Sequence, residues 1–253
     1  MNERINSWTE GRLGRIGLSA GALNVLNRGD LEHLTRAIAG LDHCPVVLLE
    51  AQGERAFCAG VEVADHLPDK APAMLETFEK MARAFLQASP LIVCAVNGPA
   101  VGGGFELALL CDLAVCSTRA TFSLPEIELA ALPPVACALL PRLVGQRRAL
   151  ELIVGGKRLD AATAREWGFV CDVVEPEALA ERARALSERL LGYSANALRA
   201  CKRATRESDL TRAMHTYRYE LLPTHDAAEG ITAFLEKRPP VWAHTRHAME
   251  VPS

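Results

Sequence analysis

Short apolar runs bounded by turn-forming residues recur along the first two thirds of the chain. Runs of this length between glycine, proline or aspartate residues are typical of buried β-strands. The predicted strands are Leu13–Leu18, Pro45–Glu50, Leu91–Val96, Asp112–Cys116 and Phe169–Val174. Stretches with apolar residues at helical spacing lie between them. Because strands and helices alternate, the pattern favours an α/β fold.

Residues typical of helix ends bound the helical stretches. Asp30 is the expected N-cap of a helix that runs through Ala39, and Gly40 is its expected stop. The further predicted helices are Ala71–Ala88, Phe105–Cys111 and Ala161–Trp167, the last of them capped by Asp160.

The pattern changes after about Pro176. From there to Lys237 the chain consists almost entirely of helix formers, with breaks near Gly192-Tyr193 and at Pro223. No low-complexity linker separates this part from what precedes it. We therefore predict one continuous unit, with an α/β core and its active site over residues 1–190 and a helical section over residues 191–253.

Composition and charge narrow the classes of function. The 253 residues are 49% hydrophobic and 23% charged, which are ordinary values for a globular protein. A formal net charge of −3 and only 5% aromatic residues disfavour a nucleic-acid partner. The sequence has no apolar run long enough to span a membrane and a polar start, so we expect a soluble, cytoplasmic protein.

The eight cysteines form no C-x-x-C pair, and most lie inside apolar runs. We therefore expect buried free thiols in a reducing compartment. A clustered ligand set for zinc is absent from the sequence, which predicts no metal site. The basic pairs at 147–148 and 202–203 are expected on solvated faces.

A glycine-rich turn carries the first candidate chemistry. The apolar run Leu91–Val96 leads into Gly102-Gly103-Gly104, and a predicted helix follows with Glu106 in its first turn. Glycines let backbone N–H groups approach a ligand, and a helix N-terminus attracts negative charge. The turn therefore suits a phosphate or a developing oxyanion. On its own, Glu106 is also consistent with a carboxylate that complements the helix dipole.

A second candidate carboxylate follows Pro125. Glu126 lies among apolar residues, so it is either a solvated loop residue or a pocket carboxylate with a raised pKa. Glu128 competes with it, because alternation places both on the same side of an extended stretch. Two carboxylates near an oxyanion-binding turn would suit the addition or removal of water across an activated double bond.

Taken together, these motifs resemble the crotonase superfamily, the enoyl-CoA hydratases and isomerases, over nearly the whole chain. The matching segments are Ala56–Glu62 (family pattern A-F-x-A-G-x-D), Ala95–Leu110 (A-x-x-G-x-x-x-G-G-G-x-E-L-A), Phe122–Leu129 (F-x-x-P-E-x-x-L), Ala164–Val170 and Ala233–Lys237. The resemblance implies the crotonase (ClpP/crotonase-like) fold, a spiral of ββα units with a helical C-terminal trimerisation section. It also implies a homotrimer, or a hexamer made of two trimers.

The same resemblance implies acyl-CoA chemistry. Backbone N–H groups of Val61 and Gly103 would form the oxyanion hole, Glu106 would activate water, and Glu126 would supply the proton. Coenzyme A would enter as part of the substrate, with no metal or redox cofactor. The residues implied to contact the substrate or its coenzyme A are Arg55, Phe57, Ala59, Gly60, His66, Gly102, Pro133, Pro134 and Lys237.

One departure from the family pattern bears on the substrate. The family's G-x-x-P-G-x-G-G segment is replaced by Ala130–Cys137, which contains Pro133 and Pro134, so a bulkier and stiffer pocket wall is expected. This stretch resembles a subgroup that hydrates cyclohexa-1,5-diene-1-carbonyl-CoA. The alternatives are an ordinary straight-chain enoyl-CoA hydratase and a family isomerase or hydrolase acting on another acyl-CoA. A non-catalytic, RNA-binding subunit is disfavoured by the two glutamates and the negative charge.

Overall fold

The computed structural model describes residues 4–207 and 210–244. The strands are β1 (Ile5–Glu10), β2 (Leu13–Leu18), β3 (Val46–Ala51), β4 (Leu91–Val96), β5 (Ala100–Val101), β6 (Leu113–Ser117), β7 (Thr121–Ser123), β8 (Leu159–Asp160) and β9 (Asp172–Val174). The helices are α1 (Arg28–Gly40), α2 (Ala71–Gln87), α3 (Gly103–Leu110), α4 (Pro134–Val144), α5 (Gln146–Gly155), α6 (Ala161–Glu166), α7 (Leu179–Leu191), α8 (Ala195–Glu207), α9 (Leu210–His215) and α10 (His225–Glu236). A π-helical turn over Thr216–Leu221 follows α9.

Two sheets organise the α/β part of the chain. The larger sheet has the strand order β1-β2-β3-β4-β6-β9, in which β1 pairs antiparallel with β2 and the remaining neighbours are parallel. The smaller sheet has the order β5-β7-β8. Because β5 lies between β4 and α3 in the chain, the small sheet holds the glycine-rich turn against the segment that carries Glu126.

The predicted strands are largely confirmed, since Leu13–Leu18 and Leu91–Val96 form as predicted. The prediction for Phe169–Val174 was too long, because only Asp172–Val174 pairs with β6 as a strand. Strand β1 was not predicted. It is an edge strand, and four of its six residues are exposed, so it lacks the apolar run of a buried strand.

Helix ends show one correction. Asn27, and not Asp30, is the N-cap of α1, because its side chain accepts a hydrogen bond from the Asp30 N–H. The Asp30 carboxylate in turn accepts a hydrogen bond from the Asn27 N–H at 2.9 Å, which completes a capping box. The predicted N-cap Asp160 is confirmed, since it accepts from the Thr163 N–H at 2.8 Å. The described residues between Pro176 and Lys237 are largely helical, with breaks near Gly192 and Pro223 as predicted, whereas residues 245–253 of the predicted helical section lie outside the described residues.

The large sheet is buried on both faces. One face packs against α7 through a cluster that includes Val46, Val93 and Leu186. The other face contributes to the main core, where the helices α1 to α3 supply Leu34, Phe85 and other side chains. Two-sided burial explains why the central strands are continuous apolar runs.

A buried ion-pair network ties α8 to the central sheet. Asp112 pairs with Lys202 and Arg206, each at 2.8 Å, and accepts a hydrogen bond from the Ile92 N–H at the start of β4. Lys202 is buried, so the prediction of a solvated face there was wrong. Its burial lowers the pKa of the ammonium group, while the neighbouring Asp112 raises it. A carboxylate 90 residues away in the sequence therefore decided the environment of this lysine.

The cysteines are all free thiols in the described residues. Cys44, Cys58, Cys94 and Cys116 are buried as predicted, whereas Cys137, Cys171 and Cys201 are exposed. The described helices include none that is both long enough and apolar enough to cross a bilayer.

Candidate active site

Two backbone segments meet at the N-terminus of α3. In the first segment, residues 58–61, Cys58 forms a β-bridge with Ala100 of β5, and Val61 forms one with Leu26. The Val101 N–H donates to the Cys58 carbonyl at 3.0 Å, which brings this segment beside the glycine-rich turn. A Cβ atom placed on Gly103 would lie 3.5 Å from the Val61 nitrogen, so the two predicted oxyanion-hole residues are neighbours.

The N–H groups of Val61 and Gly103 are free to bind an oxyanion. Within residues 4–207 and 210–244, neither group donates to a backbone or side-chain acceptor. Gly103 opens α3, where backbone N–H groups lack intrahelical partners. The pair therefore presents two adjacent donors together with the positive end of a helix dipole.

Close packing requires glycine in this turn. Gly102 has a φ of +54°, and a Cβ atom there would lie 2.7 Å from Glu126 Oε1. A Cβ atom on Gly104 would overlap the Cys58 carbonyl oxygen. The first glycine therefore admits the Glu126 carboxylate, and the third lets α3 approach the Cys58 backbone.

Glu106 projects from the first turn of α3 into the protein and is only 3% exposed. Its Oε1 accepts two hydrogen bonds from the start of α4, from the Val135 N–H at 2.7 Å and the Ala136 N–H at 3.0 Å. Among the described residues, none donates to Oε2. Burial, with a smaller contribution from the negative charge of Glu126, raises the pKa of Glu106 to about 7 against the opposing effect of the two amide donors.

Glu126 begins a short 3₁₀ helix over Glu126–Leu129. Its Oε2 is buried and has no hydrogen-bond partner among the described residues. Burial raises the pKa of the carboxyl group, and the positive charge of a protonated His66 would oppose that rise. Glu126 is close enough to raise the pKa of Glu106 by charge repulsion, so the two predicted catalytic carboxylates lie in one site.

The structure separates Glu126 from its competitor. Glu128 is exposed and lies near Gly156. A Cβ atom placed on Gly156 would lie 3.7 Å from Glu128 Oε1. The expectation that both glutamates share one side was wrong, because the segment is a 3₁₀ helix and not an extended strand.

The remaining predicted site residues divide into two groups. Gly60 and Ala59 lie beside Val61 as expected, and His66 is exposed within electrostatic reach of Glu126. The side chain of Phe57 is fully buried in the main core, so the predicted contact of this residue with substrate would be made by its backbone. Pro133 is buried as the N-cap residue of α4, and its contact with substrate stays a prediction.

Pro134 is exposed and lines an apolar cavity of about 390 Å³ between α2 and α4. Phe78 lines the same cavity and reaches back to Gly103, whose Cβ position lies 3.7 Å from the Phe78 ring. The cavity therefore adjoins the candidate oxyanion hole. Its walls are almost entirely apolar, which suits the acyl part of a ligand.

The predicted coenzyme A contacts are not brought together within this chain. Arg55 is exposed in the loop before Phe57, and Lys237 is exposed at the end of α10. In the described part of the chain, no contact joins Lys237 to Arg55 or to either glutamate. The neighbouring Arg238 binds Glu229 through both of its terminal nitrogens, at 2.6 and 2.9 Å.

Sequence reasoning missed the donors that hold Glu106. Val135 and Ala136 are apolar residues with no functional side chain, so only their backbone N–H groups matter. A signal was present, because Pro133-Pro134 predicts a helix start, where N–H groups need an external acceptor.

This arrangement supports acid–base chemistry on a carbonyl compound. Two adjacent N–H groups have no acceptor among the described residues, and two carboxyl groups with raised pKa values lie beside them. The described residues contain no group of three or more His, Cys, Asp or Glu side chains able to hold a metal ion.

The raised pKa of Glu106 predicts a pH-dependent stability. The folded protein favours the protonated carboxyl, so this contribution is full below the ordinary pKa of 4.5 and is lost as pH rises through about 7. Glu106→Gln removes the ionisation. The free energy of unfolding of this variant, relative to that of the native protein, should therefore increase by on the order of 3 kcal/mol between pH ~4.5 and pH ~8.

Urea unfolding of both proteins across this range measures the difference. Glu128→Gln, at an exposed position, is the matched control and should follow the native protein at each pH. A constant difference between Glu106→Gln and the native protein would show that Glu106 titrates normally.

Comparison with known proteins agrees with this geometry. Residues 10–245 match a family model described as enoyl-CoA hydratase/isomerase. The chain is 36% identical over 234 residues to a putative enoyl-CoA hydratase/isomerase of Bacillus subtilis, covering 88% of this chain and 90% of the relative. It is 33% identical over 247 residues to the cyclohexa-1,5-dienecarbonyl-CoA hydratase of Thauera aromatica, covering 93% and 95%.

A solved enoyl-CoA hydratase subunit I from Geobacillus kaustophilus superimposes with a TM-score of 0.89 at 34% identity, covering 96% of this chain and 99% of that one. This likeness confirms the α/β fold that the sequence resemblance implied.

Proposed function

The chain belongs to the enoyl-CoA hydratase/isomerase family, and from this premise we propose that it is an acyl-CoA hydratase. Its reaction would add water across a conjugated C=C bond of an enoyl- or dienoyl-CoA thioester. The observation that carries the proposal is the pairing of Glu106 and Glu126 beside the free N–H groups at the start of α3. Family isomerases and hydrolases are the alternatives that the experiment below must separate.

In the proposed reaction, the thioester oxygen binds the Val61 and Gly103 N–H groups. Negative charge develops on that oxygen as water attacks the β carbon, so donors fixed beforehand stabilise the transition state more than the substrate. Glu106 in its ionised form accepts a proton from the attacking water through Oε2. Glu126 in its protonated form donates a proton to the enolate, and its raised pKa favours that form.

For the substrate we favour cyclohexa-1,5-diene-1-carbonyl-CoA. Two features support this choice: the relative from Thauera aromatica, and the Pro134-Val135-Ala136 stretch that replaces the family's glycines. A straight-chain enoyl-CoA is the alternative, because the Bacillus subtilis relative has a comparable identity and a broader description.

Coenzyme A would enter as part of the substrate, in a cytoplasmic reaction that needs no metal or redox cofactor. We place its phosphates near Arg55, with Lys237 contributed by another copy of the chain, since the two are not joined within one protomer.

A homotrimer or a hexamer would supply that second copy. Ile231, Phe234 and Leu235 lie at helical spacing on α10 and are 56%, 83% and 73% exposed in the single chain. An apolar face of this kind favours burial against a partner. Sedimentation velocity should therefore detect three or six associated chains, and Phe234→Glu should weaken the association. A monomer at all concentrations would contradict this part of the proposal.

A paired assay tests the reaction and its substrate. The purified protein is mixed with crotonyl-CoA in one reaction and with cyclohexa-1,5-diene-1-carbonyl-CoA in another, and products are identified by mass and NMR. Preferential water addition to the diene is the expected result. Preference for crotonyl-CoA would support the straight-chain alternative. Free coenzyme A would indicate a hydrolase, and a product of unchanged mass an isomerase.

A further inference from the structure

Helix α4 begins without a side-chain cap of its own. Its N-cap residue is Pro133 and its first residue is Pro134, and neither offers a side-chain acceptor for the N–H groups of the first turn. The first turn also contains no acidic residue. Unsatisfied N–H groups at a buried helix start are costly, so another part of the chain must supply the acceptor.

Glu106 supplies it from α3. In the first turn of α4, Pro134 has no N–H to donate. The Val135 and Ala136 N–H groups donate to Glu106 Oε1. The Cys137 N–H donates to the Pro133 carbonyl at 2.9 Å. Every N–H of this turn is thereby accounted for. The same carboxylate that we assign to water activation is also the cap of α4.

The two prolines fix the direction of these donors. A proline ring locks φ near −65°, which suits the first residue of a helix, and it restricts the residue before it to extended conformations. Pro133 accordingly has φ −85° and ψ 100°. The absence of an N–H on Pro134 also means that no third donor competes for the carboxylate.

We propose that Pro134 is a positioning residue, because it fixes the first turn of α4 so that Val135 and Ala136 hold Glu106 with one carboxylate oxygen facing the substrate. This inference rests on the proposed function for its kinetic consequence. Its structural consequence, the orientation and ionisation of Glu106, does not depend on which substrate is used. Pro134 is exposed, so its replacement should leave the core intact.

Pro134→Gly tests the proposal, with Pro134→Ala as the milder variant. Loosening the turn should weaken the two hydrogen bonds that lower the pKa of Glu106, so this pKa should rise above that of the native protein. The acid limb of the pH–rate profile should move upward with it, because water activation needs the ionised form. We expect kcat to fall about tenfold, which is more than the change in KM that the loss of the Pro134 ring from the cavity wall causes, and a smaller loss of kcat in Pro134→Ala.

A readout without substrate separates this proposal from the proposed function. The pKa of Glu106 is measured by NMR of protein labelled with ¹³C at the glutamate carboxyl carbons, and the signal is assigned by its loss in Glu106→Gln. Failure of the native protein to hydrate any thioester would reject the proposed function. The titration would still test whether Pro134 fixes the Val135 and Ala136 donors that hold Glu106.

Pro72→Gly is the matched control. Pro72 also stands in the first turn of a helix, α2, and it is exposed, but no carboxylate is held there. Pro72→Gly should leave both the pKa of Glu106 and kcat unchanged. The proposal is overturned if the pKa of Glu106 is the same in Pro134→Gly and the native protein, or if Pro72→Gly shifts it equally.

Discussion

Glu106→Gln is expected to lower the hydration rate by about a thousandfold while the protein stays folded. Glutamine keeps an oxygen that can accept the Val135 and Ala136 hydrogen bonds, so α4 remains capped. The amide cannot accept a proton from water, and this loss falls on kcat. Glu126→Gln is expected to reduce kcat on a similar scale, because it removes the proton donor.

Steady-state kinetics on the preferred thioester, with circular dichroism as the check on folding, measures this effect. Glu128→Gln is the matched control, since Glu128 differs from Glu126 by two positions and is exposed. It should retain the full rate. If Glu106→Gln and Glu126→Gln both retained activity, the assignment of the two carboxylates would be wrong.

Gly104→Ala is expected to have the second large effect, this time on the structure. The added methyl group would lie 2.7 Å from the Cys58 carbonyl carbon and 2.8 Å from its Cβ atom, and both belong to a fully buried residue. Backbone must move to relieve such an overlap. We expect a loss of about 3 kcal/mol in the free energy of unfolding, with activity lost as the Val61 and Gly103 donors separate.

Chemical denaturation measures the stability, and the paired assay measures the activity. Gly40→Ala is the control, because Gly40 lies at the end of α1 with open space at its Cβ position. That substitution should be neutral or stabilise the protein by up to about 1 kcal/mol, since alanine has the higher helix propensity. An equal loss in both variants would contradict the packing argument for Gly104.

Glu106 both caps α4 and is the assigned base, so substitutions at this position differ in which of the two roles they remove. A substitution that removes the acceptor, such as Glu106→Ala, removes the cap of α4 together with the base. A substitution that keeps the acceptor, such as Glu106→Gln, removes only the base. The difference in stability between these two variants combines the contribution of the cap, typically about 1 kcal/mol for helix N-caps, with the cost of removing a buried side chain.

The sequence by itself determined the elements whose signals are local. The apolar runs at Leu13–Leu18 and Leu91–Val96 specify strands because both faces of each strand are buried, and Asp160 specifies a helix start because its acceptor lies three residues from the donor. The glycine-rich turn with Glu106 was likewise identifiable, since its residues are close together in the chain, whereas the choice of Glu126 over Glu128 depended on the family resemblance.

Tertiary structure alone decided what surrounds those residues. The donors that hold Glu106 come from positions 135 and 136, Lys202 is buried against Asp112, and Phe57 lies in the core although its neighbours line the site. Each outcome depends on segments that are distant in sequence and meet only when the chain is packed. Desolvation and the supply of N–H donors set the ionisation of a carboxylate, and both are properties of that packing.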